Sequence, residues 1–322
     1  MPPMIKAHQR LRVKAHHLST QIMGCHFVIT AVHHSPAKAW EAIRAGETEM
    51  RRIEDLISSW KLTSETTAIN DSAGIRPISV SLELWELIER SLRISRLTGG
   101  AFDISGTLGR YYWQFDRNEH SWLSEEEIIS LRRLIDFRNI ELNRADRSVF
   151  LKREGMKIGF GAIGKGYAAH CACLVMRSRG INSGLINASG DLMAWGSPPG
   201  QQHWQIHLPD PVNRLESKLQ LEIPYGSVVT SGNYENYTLI NGRRYSHIVD
   251  PRTGIPVTGV KHATVLCLNP EFADAMATAI SVLGVAEGLA LVNRLNGIAC
   301  VLIDDKDEVH YSNKLKLLFS KN

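Results

Sequence analysis

The stretch Gly159-Phe-Gly-Ala-Ile-Gly-Lys-Gly166 carries the spacing of a phosphate loop, with a first glycine, four intervening residues and a Gly164-Lys165 pair. A P-loop continues with Ser or Thr, whose hydroxyl binds Mg2+, but here the next residue is Gly166. Glycine backbone freedom, N–H groups at the start of a following helix and the Lys165 charge still suit a phosphate. A strand-to-helix turn without any ligand has the same composition. A second constellation lies in Glu271-Phe-Ala-Asp-Ala-Met-Ala-Thr278, where Asp274 and Thr278 are four apart. On a helix their oxygens stack on one face, and a carboxylate with a hydroxyl suits a hard cation such as Mg2+. Alone, such a pair is more often incidental.

The densest chemistry is Arg243-Arg-Tyr-Ser-His-Ile-Val-Asp-Pro-Arg-Thr-Gly-Ile-Pro256. His247 at a strand end is a candidate general base, and Pro251-Arg-Thr-Gly254 has turn composition. On a strand, His247 and Val249 face one way and Asp250 the other. A hydrogen-bonded turn with a structural histidine is the bland alternative. Thr98-Gly-Gly-Ala-Phe-Asp103, Asn187-Ala-Ser-Gly-Asp191 and Thr230-Ser-Gly-Asn-Tyr-Glu-Asn236 are small, polar and placed at expected strand or helix ends, where loops lining one cleft sit.

These segments need elements to hold them. Periodicity predicts helices over 38–58 and 82–97, and a third begins at the Ser124/Glu127 capping box. A helix should run from Gly164 to about Arg179 and stop at Gly180. The segment SVFLKREGMKIGF (148–160) reads as a hairpin turned at Glu154-Gly155. Short strands are expected at 184–189, 203–208, 219–224, 227–232, 237–240 and 262–268, with Asn241-Gly242 as a two-residue hairpin turn. A helix over 271–283 and a helix–strand pair close the chain. Strands and helices in separate groups point to α+β, and the hairpin before Gly159 argues against a P-loop. ACVLIDD (299–305) is the one strand ending in Asp that could serve as its Walker B.

At 322 residues and 43% hydrophobic content the chain can bury a real core, and a formal charge of +4 is too small to argue for nucleic acid. Lys6, Arg10, Arg12 and Lys14 concentrate basic charge at the start, so residues 1–20 are expected to form a flexible arm. No secretory signal follows them, and the apolar run 288–303 is broken by Asn293, Arg294 and Asn296, so no membrane span is expected. Five scattered cysteines suggest free thiols in a reducing, cytoplasmic setting. Cys171 and Cys173 lack the second pair that a zinc site needs.

In order, Met23-Gly24, SSW with T-x-x-I-N (58–70), TGGAFD (98–103), GAIGKG (161–166), NASGD (187–191), TSGNYENY (230–237), SHIVDPRTGIP (246–256) and ADAMAT (273–278) resemble the ApbE family of FAD:protein FMN transferases. The resemblance implies an α+β, T-fold-like arrangement of mixed sheets with packed helices around a central FAD cleft. Residues 21–322 would form one such domain of two intimately packed lobes. It implies Mg2+-dependent transfer of FMN from FAD to a Thr or Ser hydroxyl of a client flavoprotein, releasing AMP. By position, Asp274, Thr278 and the carbonyl of Ala162 resemble the Mg2+ ligands. Met23, Trp60, Ala101, Phe102, Asp103, Lys165 and Val249 match FAD-lining positions. His247 matches the residue that helps deprotonate the acceptor, with Asp250 beside it. The same site could hydrolyse FAD to FMN and AMP, or bind FAD without turnover. The chain departs from the family at Gly159, usually an acid, and at Ser189, commonly glycine.

Overall fold

The computed structural model describes residues 13–113, 122–208, 219–223, 225–232, 237–240 and 243–315. The chain enters through an antiparallel hairpin of β1 (Lys14–Ile22) and β2 (Cys25–His33). Met23 and Gly24 turn it with φ of 54° and 70°, the signs a two-residue type I′ turn requires. Lys14 to Thr20, placed by charge in a flexible arm, therefore belong to a strand. It lies at the sheet edge, where polar side chains on both faces are tolerated. Lys6, Arg10 and Arg12 lie outside the described residues.

α1 (Pro36–Ile57) starts at an N-cap, Ser35, and buries Ala39, Ala42, Ile43, Gly46, Met50, Ile53 and Ile57 at intervals of three and four. α2 (Glu65–Asp71) is capped by Ser64 in the same way, and β3 (Ile78–Ser79) leads to α3 (Leu82–Leu97). After α4 (Leu108–Trp113), α5 (Glu125–Leu134) begins at the expected capping box, satisfied in both directions. β4 (Ile140–Asn143) and β5 (Ser148–Leu151) join β3 in a small sheet ordered β3-β5-β4.

The hairpin expected around Glu154-Gly155 does not form, because residues 156–160 are irregular. The Asn70 carboxamide takes the place of a partner strand. It accepts from the Ile158 N–H at 2.7 Å and donates to the Ile158 carbonyl at 3.0 Å. Both buried backbone groups are thus satisfied from 88 residues away.

α6 (Gly164–Ser178) precedes β6 (Gly184–Ala188), β7 (Asp191–Trp195), β8 (Trp204–Leu208), β9 (Leu219–Ile223) and β10 (Tyr225–Gly232). β11 (Tyr237–Ile240) pairs with β12 (Arg243–Ser246) through Ile240 and Arg243. The Asn241-Gly242 turn, and Asn233 to Asn236 of TSGNYENY, lie outside the described residues. β13 (Val249–Asp250), β14 (Ile255–Pro256), β15 (Val260–Cys267), α7 (Pro270–Arg294), β16 (Ile298–Asp304) and β17 (Val309–Tyr311) complete the order.

Eight strands make one antiparallel sheet, β1-β2-β6-β7-β10-β15-β16-β17. α1, α6 and α7 pack together on one face, burying Met193, Val229, Ala263 and Val265. The alternate residues Ala194, Val228 and Val301 meet Ile206 and Ile223 of the β8–β9 pair on the other face. The architecture is α+β, as expected. α7 is long and apolar enough to cross a bilayer, but Ala273, Ala275, Met276, Ala277, Ala279 and Ile280 are buried in this core. Gly284, at φ 79° and ψ 179°, breaks it into the two helical pieces read from the sequence.

Candidate active site

α6 has no side-chain cap of its own. The need is met from α7: the Gly166 N–H donates to Asp274 Oδ2 at 3.0 Å, so a carboxylate sits on the positive end of α6. The helix starts abut so closely that a Cβ on Gly166 would come within 2.1 Å of the Pro270 carbonyl oxygen and 3.0 Å of Asp274 Cβ. The missing P-loop hydroxyl is therefore a packing requirement. The expected Walker B residue is occupied elsewhere: Asp304 accepts from Lys306 N, Glu308 N and His310 Nε2 within the β16–β17 turn.

Lys165, half-buried, completes a charge cluster with two buried carboxylates. Its ammonium pairs with Asp191 Oδ2 at the start of β7, and Asp191 Oδ1 accepts from Thr230 N at 3.0 Å. Burial pushes the Asp274 carboxyl up to about 6, with the Lys165 charge opposing and the Asp191 charge reinforcing the shift. Burial also raises Asp191, against the pull of Lys165. For Lys165 burial alone would lower the pKa, yet the charges of Asp274 and Asp191 hold it above the ordinary lysine range. Asp191 escaped selection from sequence because its partner lies on another element; its one signal was the acid closing NASGD.

Lys165 and Asp274 of this cluster line the floor of a cleft of about 1100 Å³, at the large end for small-molecule sites. Ala101, Phe102 and Asp103 line one wall, and His247 and Val249 line another. Trp60, 72% exposed, stands at the rim with its ring centroid 5.3 Å from that of Tyr111. Asp103 Oδ1 accepts from Ser105 N at 2.8 Å and Ser105 Oγ at 2.7 Å, and Oδ2 accepts from Phe137 N at 2.7 Å. Burial pushes its carboxyl up to about 6 despite those bonds. Gly159, where the family pattern has an acid, faces Thr107. A Cβ there would lie 2.7 Å from Thr107 Oγ1, so the threonine fills the space.

Ala162, Lys165, Asp274 and Thr278 all line the same cleft, as do the other sequence-selected residues except Met23 and Asp250. Met23 is spent on the β1–β2 turn, its N–H donating to Glu54 Oε1 at 2.7 Å, and its neighbour Cys25 lines the cleft instead. Asp250, paired with His247 as catalytic from sequence, points away along β13. Its carboxylate accepts from the Arg252 N–H at 2.8 Å and pairs with the Arg252 guanidinium at 2.9 Å. It organises the Pro251–Gly254 turn that carries the cleft wall. Ser189 adopts φ 52°, the left-handed conformation that favours glycine.

The donor set fits a hard divalent cation. Asp274 offers a carboxylate, Thr278 a hydroxyl one turn on, and Ala162 a carbonyl, with no thiol or imidazole required. Thr278 Oγ1 also lies 3.3 Å from Ser231 Oγ. Two buried carboxylates share one ammonium, so the cluster carries a net negative charge that a divalent cation would offset.

Comparison with known proteins places these features in a family. The model described as the ApbE family matches residues 23–302. A FAD:protein FMN transferase of Klebsiella pneumoniae is 29% identical over 305 residues, covering 94% of this chain and 93% of that protein. One from Treponema pallidum is 27% identical over 310 residues, covering 91% and 86%. Among solved structures, the ApbE protein of Thermotoga maritima superposes with a TM-score of 0.86 at 28% identity, covering 94% of this chain and 99% of that one. The apo form of the Pseudomonas stutzeri flavinyl transferase ApbE gives 0.85 at 26% identity, covering 96% and 98%.

Proposed function

The chain belongs to the ApbE family, and from that premise we propose that it is an FAD:protein FMN transferase that uses Mg2+ and a Thr or Ser hydroxyl of a client flavoprotein. The transferase activity carries the name of its curated relatives. One observation carries the finer reading: the Lys165–Asp191–Asp274 cluster beneath a cleft walled by His247.

FAD binds with its diphosphate over this floor and its flavin ring toward Phe102 and the Trp60 rim. Asp274, Thr278 and the Ala162 carbonyl would hold the ion, which when bound supplies charge neutralisation at the diphosphate oxygens. Lys165 adds fixed positive charge where negative charge grows on the leaving phosphate, and Asp191 holds the ammonium in place. The acceptor oxygen attacks the FMN phosphorus as the bond to the AMP phosphate oxygen breaks. The hydroxyl proton passes to His247, which lines the wall the acceptor approaches. Positioning supplies much of the acceleration. The five unpaired cysteines support a cytoplasmic client.

Incubation with FAD, Mg2+ and a candidate client, read by intact mass, tests the reading. A client heavier by FMN supports transfer, FMN and AMP without that gain support hydrolysis, and retained FAD alone supports binding. Asp274→Ala should abolish Mg2+-dependent turnover; a fully active variant sinks the metal assignment.

A further inference from the structure

Beside the cleft lies a second hollow of about 590 Å³. Arg132 and Arg133, from the last turn of α5, wall it together with Arg138, Arg252, Phe137 and the Gly99-Gly100 turn. Asp103 and Pro251 line both cavities, so the two are separated by the thickness of one residue.

The charge of this hollow is unbalanced. Arg138 is spent on Asp136 at 2.8 Å and Arg252 on Asp250 at 2.9 Å. Asp103 is turned inward, its oxygens taken by Ser105 and Phe137. Among the described residues, Arg132 and Arg133 have no carboxylate partner, and both are exposed. Exposed arginines at a helix C-terminus are ordinary in themselves, since they complement its dipole. These two differ in sharing a concave wall with two more guanidinia at the edge of a catalytic cleft.

Two features favour a polypeptide over a small anion as occupant. The guanidinia stand around an open rim, whereas an inorganic anion is held by converging backbone N–H groups. Ile129, 45% exposed, and the Phe137 ring add apolar surface beside them, and arginine with aromatic surface is the composition of protein recognition sites. Arginine's planar fork pairs carboxylates through two hydrogen bonds.

Resting on the reading above that the acceptor hydroxyl belongs to a protein, we propose that this hollow docks an acidic segment of the client. Its carboxylates pair with Arg132 and Arg133 while the acceptor hydroxyl passes Pro251 into the cleft.

Two short fluorescein-labelled peptides with a central Thr test this, one flanked by Asp and Glu and the other by Asn and Gln. Anisotropy titration against the FAD-loaded protein at low salt should show the acidic peptide binding about tenfold more tightly, with the advantage shrinking as salt rises. Arg132→Glu with Arg133→Glu should erase the preference, and the milder Arg132→Gln with Arg133→Gln should reduce it. FAD affinity, from flavin fluorescence, and melting temperature should not change in either variant. Equal binding of the two peptides, or a preference that survives charge reversal, overturns the proposal. Inorganic pyrophosphate binding that needs Arg132 and Arg133, with no binding of the acidic peptide, overturns it in favour of a small-anion site. Intact mass after Mg2+ addition separates this proposal from the transferase reading. FMN added equally to both peptides refutes docking and leaves transfer standing. An acidic peptide that binds preferentially but never gains FMN supports docking and counts against transfer.

Discussion

Gly166→Ser completes the P-loop letters, and the structure expects that change to do harm. The new Cβ would meet the Pro270 carbonyl oxygen at 2.1 Å and Asp274 Cβ at 3.0 Å, so α6 and α7 must separate. Overpacking of this kind costs about 1–3 kcal/mol. Separation also breaks the Gly166 N–H bond to Asp274, and a hydrogen bond to a charged group is worth about 1.5–3 kcal/mol. Together about 3–5 kcal/mol is expected. With an unfolding entropy of about 2.1 cal/mol/K per residue, that lowers the melting temperature by about 4–7 °C in a chain of 322 residues. Differential scanning fluorimetry measures it directly, with Mg2+ affinity as a second readout, expected to weaken about tenfold as Asp274 shifts. Gly161→Ala is the control, because a Cβ at Gly161 meets nothing within 4 Å. A Gly166→Ser protein that melts within about 1 °C of the parent and binds Mg2+ more tightly would refute the packing argument and revive the P-loop.

Three further outcomes follow from the site. Asp103 is raised from an unfolded value of 3.8 to about 6, so the folded protein keeps a proton the unfolded chain releases. The associated stability is fully present below about pH 4 and lost as pH rises to about 6, up to about 3 kcal/mol; Asp103→Asn should flatten that slope in pH-dependent urea melts. Lys165→Met leaves Asp191 and Asp274 facing each other without a cation, so the KM for FAD should rise at least about tenfold, and Mg2+ should raise the melting temperature more than in the parent. His247→Ala should lower kcat, whereas Asp250→Ala should lower melting temperature by several degrees through loss of the Arg252 turn.

Local signals made much of the scaffold legible. The periodicities of α1 and α3 and the capping box of α5 need only residues within a few positions of one another. The failures are long-range. Ile158 reads as a strand residue, and nothing nearby reveals that Asn70 supplies its partner bonds. Lys14 to Thr20 read as an arm because an edge strand shows only weak alternation. At the site, Asp274 and Thr278 were legible because helical spacing sets them on one face. Asp191 was not, because its meaning depends on an ammonium 26 residues earlier on another element. Asp250 lies off the cleft, as strand alternation reads from the sequence, and its pairing with Arg252 is what the sequence did not announce.

The cap that α6 borrows from Asp274 also has a consequence in time. As the polypeptide leaves the ribosome, the glycine-rich loop emerges 108 residues before the carboxylate that caps the start of its helix. A nascent chain that stops short of α7 leaves that helix start without its cap. The cleft gains its Asp274 and Thr278 lining only once α7 has docked, so assembly itself acts as a checkpoint against loading an unfinished enzyme.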